Sequence, residues 1–271
     1  CDIAAYPVGS GRSGPLSELV TELGLQGIVA AVGAGGKKSV LNEIIAGTDQ
    51  HAAWTGTVFT ARPPRWTGVE VFVQSEEELL AQAERVSRPA RYAFLKPSDK
   101  PARYAGLTPQ GVACLHEAGG FELTLVKADG ARMRGLKCPK PGEPVLPPRT
   151  STILMILSAR VIGRTLNDEA VHRPERVAEV CGRQLGETLT PGDLAAVFTQ
   201  PGGISQATEG ASIIPIINQV DDEATLEVAR EAANLALAAS DRFDRVILTC
   251  LHRNKAGAGS GPIVEVIRRR S

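Results

Sequence analysis

Apolar residues in this chain fall into short blocks bounded by glycine- or proline-bearing turns, and the blocks alternate between two kinds of pattern. GIVAAV at 27–32, FELTLV at 121–126, STILMIL at 151–157, IIPII at 213–217 and RVILTC at 245–250 are nearly continuous apolar runs, as expected of strands buried in a sheet. GVEVFV at 68–73 reads as a further strand, and TVFT at 57–60 as another. Between these blocks the spacing becomes helical. Residues 15–23 read as a short helix, and 38–46 set Val40, Leu41, Ile44 and Ile45 on one side. Ser75 and Glu78 form a capping-box signature ahead of ELLAQAERV, 109–119 reads as a helix, and 222–240 is a long Ala-rich amphipathic stretch. The segment 87–109, rich in Pro, Arg and Tyr, reads as strand and loop.

Strands that alternate with helices predict a parallel sheet covered on both faces. The expected fold is therefore α/β: a P-loop-like three-layer α/β/α domain with a mainly parallel sheet. One such domain is expected to occupy 1–271, with a polar helical insertion at about 168–210. At 271 residues and 43% hydrophobic, the chain can bury a substantial core.

Charge changes the picture by exclusion. Lys plus Arg number 30 and Asp plus Glu number 30, so no global field draws the protein to nucleic acid or to an anionic membrane. Arg268-Arg269-Arg270 reads as a solvated tail. Five widely spaced cysteines without a C-x-x-C pair fit a reducing compartment. No run approaches the roughly 18 apolar residues of a membrane span, and the lead CDIAAYPVGSGRSG lacks a basic region followed by an apolar one. A cytoplasmic protein without membrane or nucleic-acid partners is the expectation. Cys1 stands where Met would begin a chain, which implies numbering from inside a longer chain or after processing.

The strongest candidate chemistry sits where 27–32 runs into Gly33-Ala34-Gly35-Gly36-Lys37-Lys38-Ser39 and then into a helix. Glycines allow a tight turn with N–H groups facing inward, and the positive helix start adds to an anion site. Lys37 would place its ammonium on the outer phosphates. The full Walker pattern G-x-x-x-x-G-K-S/T is absent: Ala31 falls at the first Gly, Lys38 at the magnesium-ligating hydroxyl, and Ser39 one residue too late. A plain glycine turn joining strand to helix is the alternative. Asp129, after FELTLVKA, has the position of a Walker-B acid that holds magnesium. Asn218-Gln219-Val220-Asp221 follows IIPII and resembles the N-K-x-D base-recognition loop of GTP-binding proteins, with Asn218 and Asp221 as base contacts.

Four segments carry a more specific likeness: VGAGGKKS at 32–39, KADGARMRGLKCPKPGEPVLP at 127–147, VIGRTLNDEAVHRPE at 161–175 and IINQVDD at 216–222. Together they resemble the YqeC family of accessory proteins of selenium-dependent molybdenum hydroxylases, and the likeness spans roughly 16–250. The resemblance implies binding of ATP or GTP, with Mg2+, in the maturation of a client molybdenum hydroxylase or its cofactor machinery. It implies phosphate binding by Gly33, Gly35, Gly36 and Lys37, magnesium at Asp129, and base contacts at Asn218 and Asp221. Lys137, Glu143, His172 and Arg173 fall on its motifs without an assigned role.

The sequence departs from that pattern at Lys38 for Thr, Lys127 for Glu and Gln219 for Lys. The two lysines put positive charge where a magnesium ligand and an acid would stand, favouring phosphate and opposing the cation. Two functions follow: a magnesium-dependent ATPase or GTPase resting on Lys37, Asp129 and Asp221, or a non-hydrolysing, nucleotide-responsive partner protein whose insertion meets the client. Elsewhere the ordinary reading prevails. His172 and Arg173 read as solvated residues of a surface helix, and Arg62 to Trp66 as a loop. The four histidines lack zinc-site spacing, and no G-x-S-x-G elbow supports a hydrolase triad.

Overall fold

The computed structural model describes residues 15–205, 210–251 and 262–269; Cys1, His252 and Arg270 lie outside them. In chain order the strands are β1 (Gly27–Gly33), β2 (Ala52–Gly56), β3 (Glu70–Val73), β4 (Arg91–Leu95), β5 (Leu123–Lys127), β6 (Leu136–Lys137), β7 (Thr150–Ser158), β8 (Val171–His172), β9 (Ser212–Asn218), β10 (Arg245–Thr249) and β11 (Ile263–Arg268). The helices are α1 (Pro15–Leu23), α2 (Lys37–Gly47), α3 (Glu76–Ala83), α4 (Pro109–Gly119), α5 (Pro174–Cys181), α6 (Pro191–Thr199) and α7 (Glu223–Ala239). Nine of these strands form one sheet in the order β11-β10-β9-β7-β1-β5-β2-β4-β3, while β6 and β8 form a short parallel ribbon beside it.

Every pairing in the large sheet is parallel except that of β10 with β11. Side chains of successive strand residues point to opposite faces, which explains why central strands are apolar throughout. In β1, Val29 and Ala31 pack with Leu19, Leu23, Leu41 and Ile44 of α1 and α2 on one face. Ala30 and Val32 face the other way, into a cluster with Leu194 and Phe198 of α6 and the Ala229-to-Leu237 stripe of α7. On that same face Ile28 joins Leu79 of α3, and Val112 and Leu115 of α4. Helices on both faces of a mainly parallel sheet give the expected three-layer α/β/α arrangement.

Two local readings change. The strand near 57–60 lies earlier, at β2, where Ala52, Ala53 and Trp54 are fully buried; two alanines gave it little apolar signal. Thr60 instead bridges antiparallel to Tyr104. The basic cluster near the end is not a solvated tail over its described part: Arg268 closes β11 and pairs with Glu22 at 2.7 Å, and Arg269 holds Asp241 and the Phe243 carbonyl. The segment 168–210 contributes α5 and α6, with α6 packed along α7.

Because β1, β5, β7 and β9 run parallel, their carboxyl ends share one edge of the sheet. Residues 33–36, 128–135, 158–160 and 219–221 are thereby brought together, the usual ligand edge of such a fold. Removing methyl groups from the central strand should cost far more than at the rim. Leu154→Ala in β7, fully buried, is expected to lower unfolding free energy by about 2–5 kcal/mol, and Val264→Ala in β11 by roughly 0.5 kcal/mol or less, read from urea denaturation.

Candidate functional site

At the end of β1 the chain turns on glycines with positive φ: 95° at Gly33 and 120° at Gly36. Side-chain-bearing residues adopt such angles at a cost. Space closes the same positions, since a Cβ on Gly33 would meet the Ile156 carbonyl and one on Gly36 the Asn218 amide. The Ala34 N–H donates to the Ile156 carbonyl at 2.7 Å and the Gly35 N–H to the Arg134 carbonyl at 3.0 Å, so those two donors are spent on the scaffold. Beyond them α2 begins at Lys37 without a side-chain cap, its first helical bond running from the Val40 N–H to the Gly36 carbonyl. The Lys37, Lys38 and Ser39 amides therefore have no helical partner, and the positive end of α2 faces the loop.

Lys37 folds back onto this loop: its ammonium donates to the Gly33 carbonyl and lies 2.9 Å from Asp129 Oδ1. Asp129 is buried. Its Oδ2 accepts from the Gly33 N–H at 2.9 Å and meets the ammonium of Lys137, also at 2.9 Å. Lys137 has no exposed surface and additionally donates to the Gly130 carbonyl and to Glu143 Oε2, each at 2.9 Å. Glu143 in turn accepts two bonds from the Arg173 guanidinium, at 2.8 and 2.9 Å. A chain of alternating charge thus runs Lys37, Asp129, Lys137, Glu143, Arg173, from the glycine loop to the start of α5. Buried charges are tolerable when paired and hydrogen-bonded; here every member is ion-paired, while Asp129 Oδ1 meets Lys37 as an ion pair without a hydrogen bond.

Burial pushes the Lys37 pKa below its ordinary value although Asp129 pulls the other way. Partial burial would raise the Glu143 pKa, but the Arg173 and Lys137 bonds outweigh it and bring it to about 2. Beside this chain, His172 is pushed down to about 4 by burial, then by Arg173 and Lys137.

In front of the loop lies a pocket of about 460 Å³. Lys37, Lys38, Arg103, Lys127, Arg132 and Arg134 line it together with Ser39, Phe59, Met133 and Gln219; among the described residues no Asp or Glu does. Lys127 is fixed in its wall by bonds to the Phe59 and Asp129 carbonyls at 3.0 and 2.8 Å. Burial, then the neighbouring Lys37, brings the Lys127 pKa to about 7. Lys38 is lowered by burial and then by Arg103. Arg132 and Met133 sit consecutively at positive φ, 45° and 63°, so the loop that closes the pocket is held in a conformation uncommon for such residues.

The expected phosphate residues Gly33, Ala34, Gly35, Gly36, Lys37, Lys38 and Ser39 and the acid Asp129 do converge. Asn218 and Asp221 lie at the same edge but are engaged inside the protein. Asn218 donates to the Gly35 carbonyl at 2.8 Å and accepts from Thr249 at 2.9 Å, which makes it a tether for the loop. Asp221 is covered by Arg160 at 2.5 Å and receives the Cys250 thiol at 3.4 Å. Gln219, at φ 65°, bonds to Ser158 and lines the pocket. His172 and Arg173 are not on a solvated helix face: His172 closes β8, and Arg173, at φ 61°, precedes α5 to reach Glu143. Sequence reasoning missed the cations Arg103, Arg132 and Arg134. Only the run of basic residues after Asp129 signalled the last two.

Both depressed pKa values act in the same direction. A histidine held neutral stabilises the fold above its unfolded pKa and loses that contribution as pH falls, and a depressed carboxylate does the same at lower pH. Stability is expected to decline from pH 6.5 toward about 4 through His172, and from 4.5 toward about 2 through Glu143. After solvent screening each contributes on the order of 1–2 kcal/mol. Urea unfolding across this range should show the upper slope flattened in His172→Gln and the lower one in Glu143→Gln.

The family described as "YqeC protein" matches residues 29–175, which hold the glycine loop, Asp129 and the whole ion chain to Arg173. The uncharacterized protein YqeC of Escherichia coli (strain K12) is 28% identical over 210 residues, covering 75% of this chain and 81% of that protein. With its family match running from β1 through the ion chain, the chain belongs to the YqeC family.

Proposed function

We propose that this protein binds a nucleotide, ATP or GTP, through the loop 33–39, and acts as an accessory protein in the maturation of a selenium-dependent molybdenum hydroxylase. The nucleotide half rests on one observation: helix-start amides without a helical partner adjoin a pocket that, among the described residues, is lined by six basic side chains and no acid. Phosphate oxygens are the ligand chemistry that such donors and charges complement. Lys37 is the group positioned to leave Asp129 for an incoming phosphate, because Lys137 remains to neutralise that carboxylate. Gln219, on the side of β9, is the member of the 218–221 loop that lines the pocket. The client half rests on the resemblance of the four segments to that family.

Of the two functions, the non-hydrolysing partner is favoured. Both Asp129 oxygens meet ammonium groups, and Lys38 stands at the hydroxyl position, so this donor set does not suit a magnesium ion, which takes carboxylate and phosphate oxygens. The client would then respond to the occupied loop rather than to turnover. The ion chain through Glu143 and Arg173 is a physical connection from the loop to α5.

Titration with ATP and GTP, following both binding and phosphate release, tests this reading. Binding of one or both without turnover is expected. Lys37→Met should weaken it by roughly tenfold to a hundredfold, the worth of one charge-assisted hydrogen bond, while Lys140→Ala on the exposed surface leaves it unchanged. Absence of binding to either nucleotide overturns the phosphate site, and phosphate release abolished by Lys37→Met would establish the hydrolase instead.

A further inference from the structure

We propose that the pocket takes its polyphosphate ligand free of magnesium, with the ammonium groups of Lys38 and Lys127 standing where a metal ion would otherwise supply the charge. This rests on the nucleotide reading above and specifies the form of ligand recognised: the free polyanion rather than its metal complex.

Three observations carry it. The first is the acid. Asp129 Oδ1 lies 2.9 Å from Lys37 and Oδ2 lies 2.9 Å from Lys137, with the Gly33 N–H also on Oδ2. Lys37 can swing to a phosphate, but Lys137 has no exposed surface and is held by the Gly130 carbonyl and Glu143 as well. A divalent ion at Asp129 would therefore sit against a fixed ammonium. Moving Lys137 would strand Glu143 with Arg173 alone. Like charges at such range repel strongly in a site screened from water.

The second is the helix start. Lys38 occupies the position after Lys37 where the Walker pattern places a metal-binding hydroxyl, and its side chain lines the pocket half-buried. Its neighbour in charge is Arg103, another lining cation. An ammonium there donates to phosphate oxygens directly and excludes a second cation from the same point.

The third is the opposite wall. Two backbone carbonyls, of Phe59 and Asp129, hold the Lys127 ammonium at 3.0 and 2.8 Å. These bonds use two of its three donors and leave one for a ligand. Lys38 on the loop side and Lys127 on the β5 side thus flank the space in front of Lys37, and the repulsion among them and Arg103 is relieved by an anion, not by a cation. A free nucleoside triphosphate brings more negative charge than its magnesium complex by the ion's two charges. It is the better match to an acid-free lining.

Calorimetric titration of the purified chain with ATP and GTP, once in EDTA and once in excess magnesium, tests the proposal. Binding in EDTA is expected to be at least as tight as in magnesium. The double variant Lys38→Thr, Lys127→Glu, which removes both ammonium groups, should lose roughly tenfold to a hundredfold of the EDTA affinity. Its urea midpoint, measured alongside, reports that it is folded, and the single variant Lys38→Thr serves if it is not. Wild-type binding seen only with magnesium overturns the proposal and leaves the nucleotide reading standing, as does EDTA binding that neither variant weakens. No binding in either buffer overturns the nucleotide reading itself, and the proposal with it.

Discussion

The structure of the site depends on how Asp129 is neutralised. A carboxylate with almost no exposed surface is costly to bury, and this one is compensated from three parts of the chain: the Gly33 N–H at the end of β1, Lys37 in the first turn of α2, and Lys137 in β6. Each partner imposes a constraint. Gly33 must keep its φ of 95° to aim its N–H at the carboxylate, Lys37 must start a helix directly after the loop, and Lys137 must be carried in by the ribbon that β6 makes with β8. Lys137 then needs a second anion, which Glu143 provides, and Glu143 needs the forked guanidinium of Arg173. One buried charge thereby fixes the path of the chain from residue 127 to residue 173. The span matched by the family closes two residues beyond Arg173.

The other side of the loop is held by hydrogen bonds rather than charge. Asn218, at the end of β9, reaches across to the Gly35 carbonyl and is oriented by the Thr249 hydroxyl from β10. Its amide fills the space that a Cβ on Gly36 would need, so the glycine and the asparagine define each other. Two neighbouring strands thus brace the turn from the side opposite Asp129. A loop so braced can hold the Lys37, Lys38 and Ser39 amides at the start of α2 in place before any ligand arrives, which lowers the ordering cost of binding.

Much of this fold was legible because parallel strands buried on both faces read as plain apolar runs, and β1, β7, β9 and β10 are of that kind. Capping chemistry served equally well: Ser75 and Glu78 reciprocate at α3 as their spacing demands. β2 was misplaced because Ala52 and Ala53 bury fully while contributing little hydrophobic signal. β11 went unread because its partly exposed antiparallel rim position allows Glu265 and Arg268 among its apolar residues. At the site, the glycines and Lys37 were readable from local spacing. The roles of Lys137, Glu143 and Arg173 were not, because a charge chain joining β6, the loop after it and the start of α5 has no local period. Nor could the sequence show that Asn218 and Asp221 are occupied by Gly35, Thr249, Arg160 and Cys250, since those partners are distant along the chain.

The same long-range logic explains how a nearly neutral protein can present so cationic a pocket. Its acids are not missing; they are behind the wall. Asp129 and Glu143 lie within the ion chain and serve Lys37, Lys137 and Arg173, while Asp221 serves Arg160. What faces the pocket is the surplus: Lys38, Lys127, Arg103, Arg132 and Arg134. Lys127 shows the cost of this arrangement, since burial and then the nearby Lys37 bring its pKa down to about 7. An anion in front of it reverses that balance by favouring the charged form.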